Sequence, residues 1–289
     1  MKRLESFLTL KILVVIAAAV SAYAQPEPTF TTIDFPGALG TAHLPQIWIR
    51  INAEGDIVGG YEDNNAIGHG FLLSRAGYAT VDGPGAIFSE LNAIGPQGDI
   101  LGDYVDSNSN FVAFRLSKGA FTIINFPGAS ETSLNSTNPR GDIVGYYVLP
   151  GGPRHGFLSR NGVFTSFDFP GANFTVASAI NAEGKIVGIY RDSAGRMHGF
   201  LLSEGIFTPI DVPGSIFTTA IDINSAGDIV GRYNARDGKT HGYLLRDGQF
   251  RTIDVPGSVS SFATGINARG DIVGKYTTPD GSFHGYLLR

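Results

Sequence analysis

The sequence has 289 residues, a formal charge of −5, no cysteine and 39 glycines, and only 16% of its residues are charged. The acidic balance argues against the basic surface that nucleic acids require, and a hydrophobic content of 43% argues against a disordered chain. The lack of cysteine excludes disulfides, thiolate metal sites and a cysteine nucleophile.

The first 24 residues predict an export signal. Positive charges near the start precede an apolar run at residues 12–20, and residues 22–24 form the small-x-small pattern that comes before a cleavage site. A membrane anchor is the alternative, but the run is shorter than the roughly 20 residues that cross a bilayer. We therefore expect a mature chain from Gln25, exported to the periplasm or beyond it, without a membrane anchor.

A pattern of aromatic, Asp, Pro, Gly, Ile-Asn and His-Gly elements recurs six times in the rest of the chain. The Pro-Gly glycines mark the period: Gly37, Gly85, Gly128, Gly171, Gly214 and Gly257. The first spacing is 48 residues and the four that follow the second glycine are each 43. A constant period of this length indicates a repeat architecture, with five extra residues in the first copy.

Within one copy, short apolar runs alternate with Gly, Asn, Asp or Pro, which predicts four strands. In the fifth copy we expect them near residues 218–224, 228–233, 241–245 and 250–255. The first turn fits a type I turn in which Asn224 binds backbone donors and Gly227 is left-handed. The third turn, at residues 245–248, is predicted to be of the same kind.

Six such copies without helical periodicity predict an all-β fold, a six-bladed β-propeller of four-stranded blades. A stacked solenoid is the alternative, but its coils usually have about 20–30 residues and need end caps. The last copy lacks a fourth strand and an unmatched strand stands at residues 30–37, so the N-terminal strand should close the ring. The single predicted domain spans residues 25–289, with blades at 38–85, 86–128, 129–171, 172–214, 215–257, and 258–289 together with 30–37.

Two recurring units of the sequence resemble the HAF family of bacterial extracellular repeats. One is Ile-Asn-x-x-Gly-Asp-Ile-Val-Gly, and the other is His-Gly-Phe or His-Gly-Tyr, which begins at His69, His155, His198, His241 and His284. The resemblance covers nearly all of residues 30–289. Here Gly replaces the alanine of the family tripeptide, and the second copy has Val112 in place of histidine. The resemblance implies an exported, propeller-like repeat protein without an established activity, so it supplies no catalytic residue.

The recurring histidines and aspartates are predicted to serve the fold. Groups repeated around a ring lie far apart unless they line its axis, so we expect each histidine to make a hydrogen bond within its own blade. The recurring acidic positions are Asp56, Asp99, Asp142, Asp228 and Asp271, with Lys185 in one copy, and Asp34, Asp82, Asp168, Asp211 and Asp254, with Asn125 in one copy. Replacement by Lys or Asn indicates that the carboxylate is dispensable in at least one blade.

Function in a repeat scaffold is expected where one copy differs from the others. Trp48, Arg50 and Asp222 are the predicted binding residues, because the other copies have small residues where Arg50 and Asp222 stand. The carboxylates of Glu90, Asp103 and Glu131 are also unmatched. The segment from Asp106 to Asn110 has the alternating oxygen ligands of a calcium loop, but such Asn- and Asp-rich hairpins are common for backbone reasons alone.

These observations favour an exported, non-enzymatic protein that presents a binding or structural surface. Its partner would be a carbohydrate or another extracellular protein, without nucleic acid, cofactor or metal. The alternative is a propeller enzyme that acts on carbohydrate, as a hydrolase or lyase, because a closed ring can gather unmatched carboxylates at one mouth of its channel. The two differ in whether Asp222, Glu90, Asp103 and Glu131 converge there.

Overall fold

The computed structural model describes residues 29–41 and 48–289, and within these residues the protein consists of 25 strands joined by turns. The predicted export signal lies outside the described residues. The described part of the chain contains no helix with the length and apolar character needed to cross a bilayer.

Blades 2 to 5 are four-stranded antiparallel meanders that repeat one plan. Blade 2 contains β7 (Ala86–Ile94), β8 (Ile100–Asp106), β9 (Phe111–Ser117) and β10 (Ala120–Ile123), and blade 3 contains β11 (Glu131–Thr137), β12 (Ile143–Val148), β13 (Arg154–Arg160) and β14 (Val163–Phe167). Blade 4 contains β15 (Phe174–Ile180), β16 (Ile186–Arg191), β17 (Met197–Ser203) and β18 (Ile206–Ile210), and blade 5 contains β19 (Phe217–Ile223), β20 (Ile229–Asn234), β21 (Thr240–Arg246) and β22 (Gln249–Ile253).

Blades 1 and 6 depart from this plan at the point where the ring closes. Blade 1 has a first strand in two pieces, β2 (Gly40–Thr41) and β3 (Arg50–Ile51), which both pair with β4 (Ile57–Glu62), followed by β5 (Gly68–Ser74) and β6 (Gly77–Thr80). The extra residues of the first copy lie between the two pieces. Blade 6 contains β23 (Ser260–Ile266), β24 (Ile272–Thr277) and β25 (Phe283–Leu288), and its fourth strand is β1 (Phe30–Ile33).

The N-terminal strand closes the ring, as predicted. Phe30 pairs with Leu288 and Ile33 with Gly285 in an antiparallel register. One residue earlier, the Thr29 amide donates to the Arg289 carbonyl, and the Arg289 amide donates to the Thr29 carbonyl. The prediction of a six-bladed propeller with four-stranded blades, completed by residues near 30–37, is therefore confirmed.

The turn predictions are right for one hairpin and wrong for the other. Between the first two strands of blade 5, the Asn224 side chain accepts from the Asp228 amide at 2.9 Å, and Gly227 has a φ of +88°. In the third turn, however, both Asp247 and Gly248 are left-handed, with φ of 51° and 73°. This is a two-residue type I′ hairpin, which is favoured because its twist matches that of the flanking strands.

Aromatic stacking and asparagine side chains join each blade to the next. In blade 3, the Tyr147 ring stacks at 3.6 Å on Phe126, which follows the last strand of blade 2, and the Tyr190 and Phe169 rings repeat the contact one blade later. The Asn138 side chain donates to the Asn181 carbonyl in the next blade. The same bond recurs from Asn181 to Asn224, from Asn224 to Asn267 and from Asn267 to Asn52.

Candidate functional site

The recurring histidines make the hydrogen bonds within each blade that the repeat pattern predicts, and the partner is the second recurring aspartate. The His69 Nδ1 atom lies 2.8 Å from Asp82, thirteen residues ahead. The same pairing joins His155 to Asp168, His198 to Asp211, His241 to Asp254 and His284 to Asp34. Each imidazole also stacks on the recurring tyrosine of its blade, as in the His198 and Tyr190 pair, whose ring centroids are 5.0 Å apart.

Blade 2 lacks both members of this His–Asp pair. Val112 takes the place of the histidine, and thirteen residues ahead Asn125 takes the place of its aspartate. The two partners are thus lost together in one blade, and the spacing of thirteen identifies the pair from the sequence. Among the described residues, no group of three or more His, Asp or Glu side chains is arranged to hold a metal ion.

We expect His198→Ala to lower the free energy of unfolding by about 1–2 kcal/mol, because it leaves the Asp211 carboxylate without its hydrogen-bond donor. Asp211→Asn should cause a smaller loss, because the His198 Nε2 atom also lies 3.2 Å from Asp192. The double variant should lose little more than His198→Ala alone, since that change already removes the bond to Asp211. Denaturant unfolding of the four proteins measures this coupling. Strict additivity would contradict the pairing.

The segment from Asp106 to Asn110 uses its oxygen ligands for the turn itself. The Asp106 Oδ1 atom accepts from the backbone amides of Asn108 and Asn110 at 2.8 and 2.9 Å, and Oδ2 accepts from the Asn110 side chain. These hydrogen bonds lower the pKa of Asp106. The Asn- and Asp-rich composition is thus explained by the backbone of the hairpin.

The first strands line the central channel, and those of blades 2 to 6 each carry a β-bulge at the same position. In blade 4, for example, the ladder skips from Ala177 to Ala179, so that Ser178 has no partner in the ladder. The facing residue is Gly188, where a Cβ atom would collide with the Val176 carbonyl. The bulges at Asn92, Asn135, Ile221 and Thr264 recur at the 43-residue period.

Arg50 occupies the centre of the channel, where these bulges present carbonyl groups. Its Nε atom donates to the Asn92 carbonyl at 3.2 Å, and its terminal nitrogens donate to the carbonyls of Ile221, Thr264 and, at 3.4 Å, Ser178. One guanidinium therefore joins blade 1 to blades 2, 4, 5 and 6. The corresponding residues of the other copies are small or short: Ala93, Ser136, Ala179, Asp222 and Gly265.

Asp222 is the acidic partner of Arg50. Its Oδ2 atom lies 3.9 Å from the Arg50 guanidinium and accepts from the Ile266 amide of blade 6 at 2.9 Å. Burial lowers the pKa of Arg50 and raises the pKa of Asp222, and in each case the charge of the partner opposes the effect. The pair is thus a buried ionic contact between blades 1 and 5.

Arg50 divides the channel into two cavities. The narrow cavity, of about 250 Å³, is lined by the Ile-Asn turns that are nearly the same in every blade, and by Asp222. The wide cavity, of about 580 Å³, is lined by Trp48 and by residues of the first, second and third strands. The three residues predicted to bind a ligand are therefore placed at different points: Trp48 at the wide cavity, Asp222 at the narrow one and Arg50 between them.

The wide cavity is formed where the six copies differ most. One variable position lies in the second strand of each blade, and its residues are Gly60, Asp103, Tyr146, Ile189, Arg232 and Lys275. Another lies in the first strand, and its residues in blades 2 to 6 are Glu90, Ser133, Val176, Thr219 and Phe262. Sequence reasoning singled out Asp103 at this second-strand position but missed Tyr146, Arg232 and Lys275. An alignment of the copies at the 43-residue period would have identified them as a column with six different residues.

The wall formed by blades 2 and 3 is acidic. Asp103 is 1% exposed, and its Oδ2 atom accepts from the Asn92 side chain at 2.6 Å and from the Ser133 hydroxyl at 2.8 Å. Its neighbour in the strand pairing is Glu90. Burial, helped by the charge of Glu90, raises the pKa of Asp103 well above its usual value. Burial also raises the pKa of Glu90 to about 7, opposed by Lys275.

Glu131 also belongs to the acidic wall, and unlike Glu90 it has both a hydrogen-bond donor and a nearby arginine. It accepts from the Tyr146 hydroxyl at 2.6 Å, and the Arg154 guanidinium lies 3.8 Å from the same oxygen. Arg154 also covers the Tyr146 ring at 4.4 Å. Of the four unmatched carboxylates, Glu90, Asp103 and Glu131 thus lie at one end of the channel, and Asp222 lies at the other.

The opposite wall, formed by blades 5, 6 and 1, is basic and aromatic. Lys275 is 1% exposed, and its ammonium lies 5.5 Å from the Trp48 ring centroid and 5.4 Å from that of Phe262. Arg232 lies over the same two rings. Burial lowers the pKa of Lys275 to about 7, with a further contribution from Arg232, and burial lowers the pKa of Arg232 to about 10.

We expect Glu90→Gln to make the protein more stable at pH 8 by about 1–3 kcal/mol. The Glu90 pKa of about 7 lies above its ordinary 4.5, so between these values the folded state binds a proton that the unfolded state has lost. Stability attributable to Glu90 is therefore greatest below pH 4.5, falls as the pH rises towards 7 and stays low above that. Denaturant unfolding at pH 5 and pH 8 tests the difference. Glu183→Gln, at an exposed position, is the control, and an equal pH dependence in both variants would contradict the assignment.

No family model matches the sequence, and no significant match is found among curated proteins. Among solved structures, the fold is similar to that of the Aleuria aurantia lectin in complex with Fucalpha1-6GlcNAc, with a TM-score of 0.56 and 13% identity over 86% of this chain and 93% of that chain. A crystal structure of the same lectin is described as a six-bladed β-propeller.

Two further structures have similar folds. AofleA from Arthrobotrys oligospora gives a TM-score of 0.57 and 12% identity over 91% of this chain and 86% of that chain. A putative TolB from Agrobacterium tumefaciens gives a TM-score of 0.57 and 15% identity over 84% of this chain and 90% of that chain. At these identities the similarity shows the six-bladed propeller fold alone.

Proposed function

We propose that the protein is an exported carbohydrate-binding protein of the HAF repeat type, and that its ligand enters the wide cavity. The observation that carries this proposal is the lining of that cavity, which combines aromatic faces with buried polar atoms. Trp48, Phe88, Phe111 and Phe174 line it together with Tyr146. Sugars are bound by this combination, because their C–H faces pack on aromatic rings and their hydroxyls need fixed polar partners.

Unsatisfied polar atoms support a ligand at this cavity. The Oε2 atom of Glu90 and the Nε atom of Arg232, two residues that line the cavity, are buried and have no hydrogen-bond partner among the described residues. A buried polar atom without a partner costs about 1–3 kcal/mol, so such atoms are expected where a ligand or ordered water completes the site. The lectin structures with the same fold add support, since the Aleuria aurantia lectin is described with fucosides bound.

Glycan-array binding by the chain that begins at Gln25 tests this proposal. We expect a defined set of glycans to bind, and Trp48→Ala or Phe174→Ser to weaken binding at least tenfold. Ile206→Ser, on an exposed outer strand, is the matched control and should bind as the original chain does. Lack of glycan binding, or binding that survives both changes in the wide cavity, would refute the proposal.

One observation favours a second candidate, an enzyme that acts on carbohydrate. Glu90 shares the wide cavity with Glu131, and the raised pKa of Glu90 keeps a large share of it protonated at neutral pH, as a general acid requires. Incubation of each bound glycan with the protein, followed by analysis of the products, distinguishes the candidates. Cleavage that Glu90→Gln abolishes while binding persists would identify an enzyme, and intact glycans would identify a binding protein.

A further inference from the structure

Arg232 of β20 is a cation at the wide cavity that has no acidic partner in the described part of the chain. Its guanidinium lies 5.7 Å from the Trp48 ring centroid, 5.6 Å from that of Phe217 and 5.0 Å from that of Phe262. Its Nε atom is buried without a hydrogen-bond partner. Residues 42–47, next to Trp48 in the sequence, contain no Asp or Glu.

The other arginines at the channel are arranged differently. The donors of Arg50 go to carbonyls of four blades, and Asp222 lies 3.9 Å away. Arg154 lies 3.8 Å from Glu131. A guanidinium has five donors in a fixed plane and cannot lose its charge, so its burial among aromatic rings is unfavourable unless an anion is supplied. At Arg232, the described chain does not supply that anion.

The surroundings of Arg232 restrict the anion that would fit. Lys275 lies over the same Trp48 and Phe262 rings, so this wall places a second basic group beside the tryptophan face. The facing wall carries Glu90 and Glu131, which would repel a highly charged ligand. A single planar carboxylate matches a guanidinium edge through two parallel hydrogen bonds, and it carries only one negative charge.

We propose that Arg232 binds the carboxylate of a uronic acid residue, so that the ligand of the wide cavity is an acidic carbohydrate. This inference rests on the proposed carbohydrate-binding function and adds the substrate class. The sugar ring would pack on Trp48, and its hydroxyls would face the acidic wall, where the Oε2 atom of Glu90 has no hydrogen-bond partner among the described residues. The wide cavity would thus bind the ligand's carboxylate on one wall and its hydroxyls on the opposite wall.

Matched acidic and esterified oligosaccharides test the inference. The chain that begins at Gln25 is titrated by calorimetry with four kinds of ligand. These are oligomers of galacturonate, glucuronate and mannuronate, their methyl esters, sulfated oligosaccharides, and unsubstituted neutral oligosaccharides. We expect at least one free acid to bind tenfold or more tightly than its methyl ester, with affinity that falls as salt is added. Equal affinity for acid and ester, or a preference for sulfated over carboxylated oligosaccharides, would overturn the inference.

Variants of Arg232 separate carboxylate binding from a structural role. Arg232→Met should reduce the affinity for the acid at least tenfold and leave the affinity for the ester nearly unchanged. Arg232→Lys should give an intermediate loss, because it keeps the charge but not the planar pair of donors. Arg236→Met, at an exposed position in the same blade, is the control. Equal losses for acid and ester in Arg232→Met would assign Arg232 to the fold and overturn the inference.

The two proposals fail in distinguishable ways. If neutral glycans bind in the wide cavity and no uronate binds better than its ester, the carboxylate inference is wrong and the carbohydrate-binding function stands. If no glycan of any class binds, both are wrong.

Discussion

A variant of the protein that begins at Ala38 is expected to have a free energy of unfolding about 4–8 kcal/mol lower than that of the chain that begins at Gln25. The variant loses β1 and the apolar side chains around it. Ile33 is 3% exposed, Phe30 packs edge-on against Tyr286 at 5.5 Å, and Phe35 stacks on Tyr61 at 3.7 Å. Full burial of each such side chain contributes about 1.5–3 kcal/mol.

The loss is large because the removed segment belongs to two blades. β1 pairs with β25 in blade 6, whereas Phe35 packs into the core of blade 1. The variant also exposes the edge of β25, which invites association with other chains. Denaturant unfolding gives the stability, and sedimentation gives the association state. A synthetic peptide of residues 29–37 should restore much of the stability, and an unchanged unfolding midpoint without the peptide would contradict the closure.

Arg50→Met is expected to lower the free energy of unfolding by about 3–5 kcal/mol, the usual cost of leaving a buried charge without its partner. Arg50 is 6% exposed, so its hydrogen bonds to the carbonyl groups are sheltered from solvent in the folded protein. The carbonyls of four bulges then lose a donor, and Asp222 keeps its buried carboxylate without a counter-charge. Denaturant unfolding at neutral pH measures the change.

Arg246→Met is the matched control, because Arg246 also pairs with a carboxylate, Asp228, but lies at the rim with its side chain 43% exposed. Because the arginine of this pair is exposed to solvent, we expect Arg246→Met to lower the free energy of unfolding less than Arg50→Met does, by about 1–2 kcal/mol. Adding Asp222→Asn to Arg50→Met should recover part of the loss, since it removes the unpaired charge. If Arg50→Met and Arg246→Met lowered the free energy of unfolding equally, Arg50 would not be a special source of stability in the channel.

The fold could be predicted from the sequence because the repeat is an almost exact copy of one supersecondary unit. A constant 43-residue period, with turn residues at fixed places, leaves few architectures, and the unmatched strand at residues 30–37 indicated how the ring closes. In blade 5 the predicted strands differ from the observed ones by no more than two residues at each end. The I′ form of the third turn was missed although Asp-Gly in a two-residue loop favours it, because the predicted strands left a longer loop between them.

The candidate site was harder to predict, because it depends on side-chain direction rather than on repeat length. Arg50 was identified as unmatched, but its carbonyl partners are created by β-bulges, which the sequence pattern does not reveal. Arg232 and Lys275 belong to second strands, whose side chains meet the wide cavity only in the pleat of the folded blade. The prediction that Trp48, Arg50 and Asp222 bind a ligand stays a prediction, and the structure adds the distinction that Arg50 and Asp222 contact each other.

The closure of blade 6 also orders the events of folding. Most strand pairs of the ring join neighbours in sequence, so each blade can form its hairpins as soon as its own residues are available. The pairing of β1 with β25 joins residues separated by more than 250 positions in the chain. β1 is therefore synthesised first and paired last, and until then both it and the edge of β25 are open to other strands. Chaperones that cover exposed strand edges should therefore reduce aggregation of this protein most in one interval. That interval begins when the last hairpin has formed and ends when β1 pairs with β25.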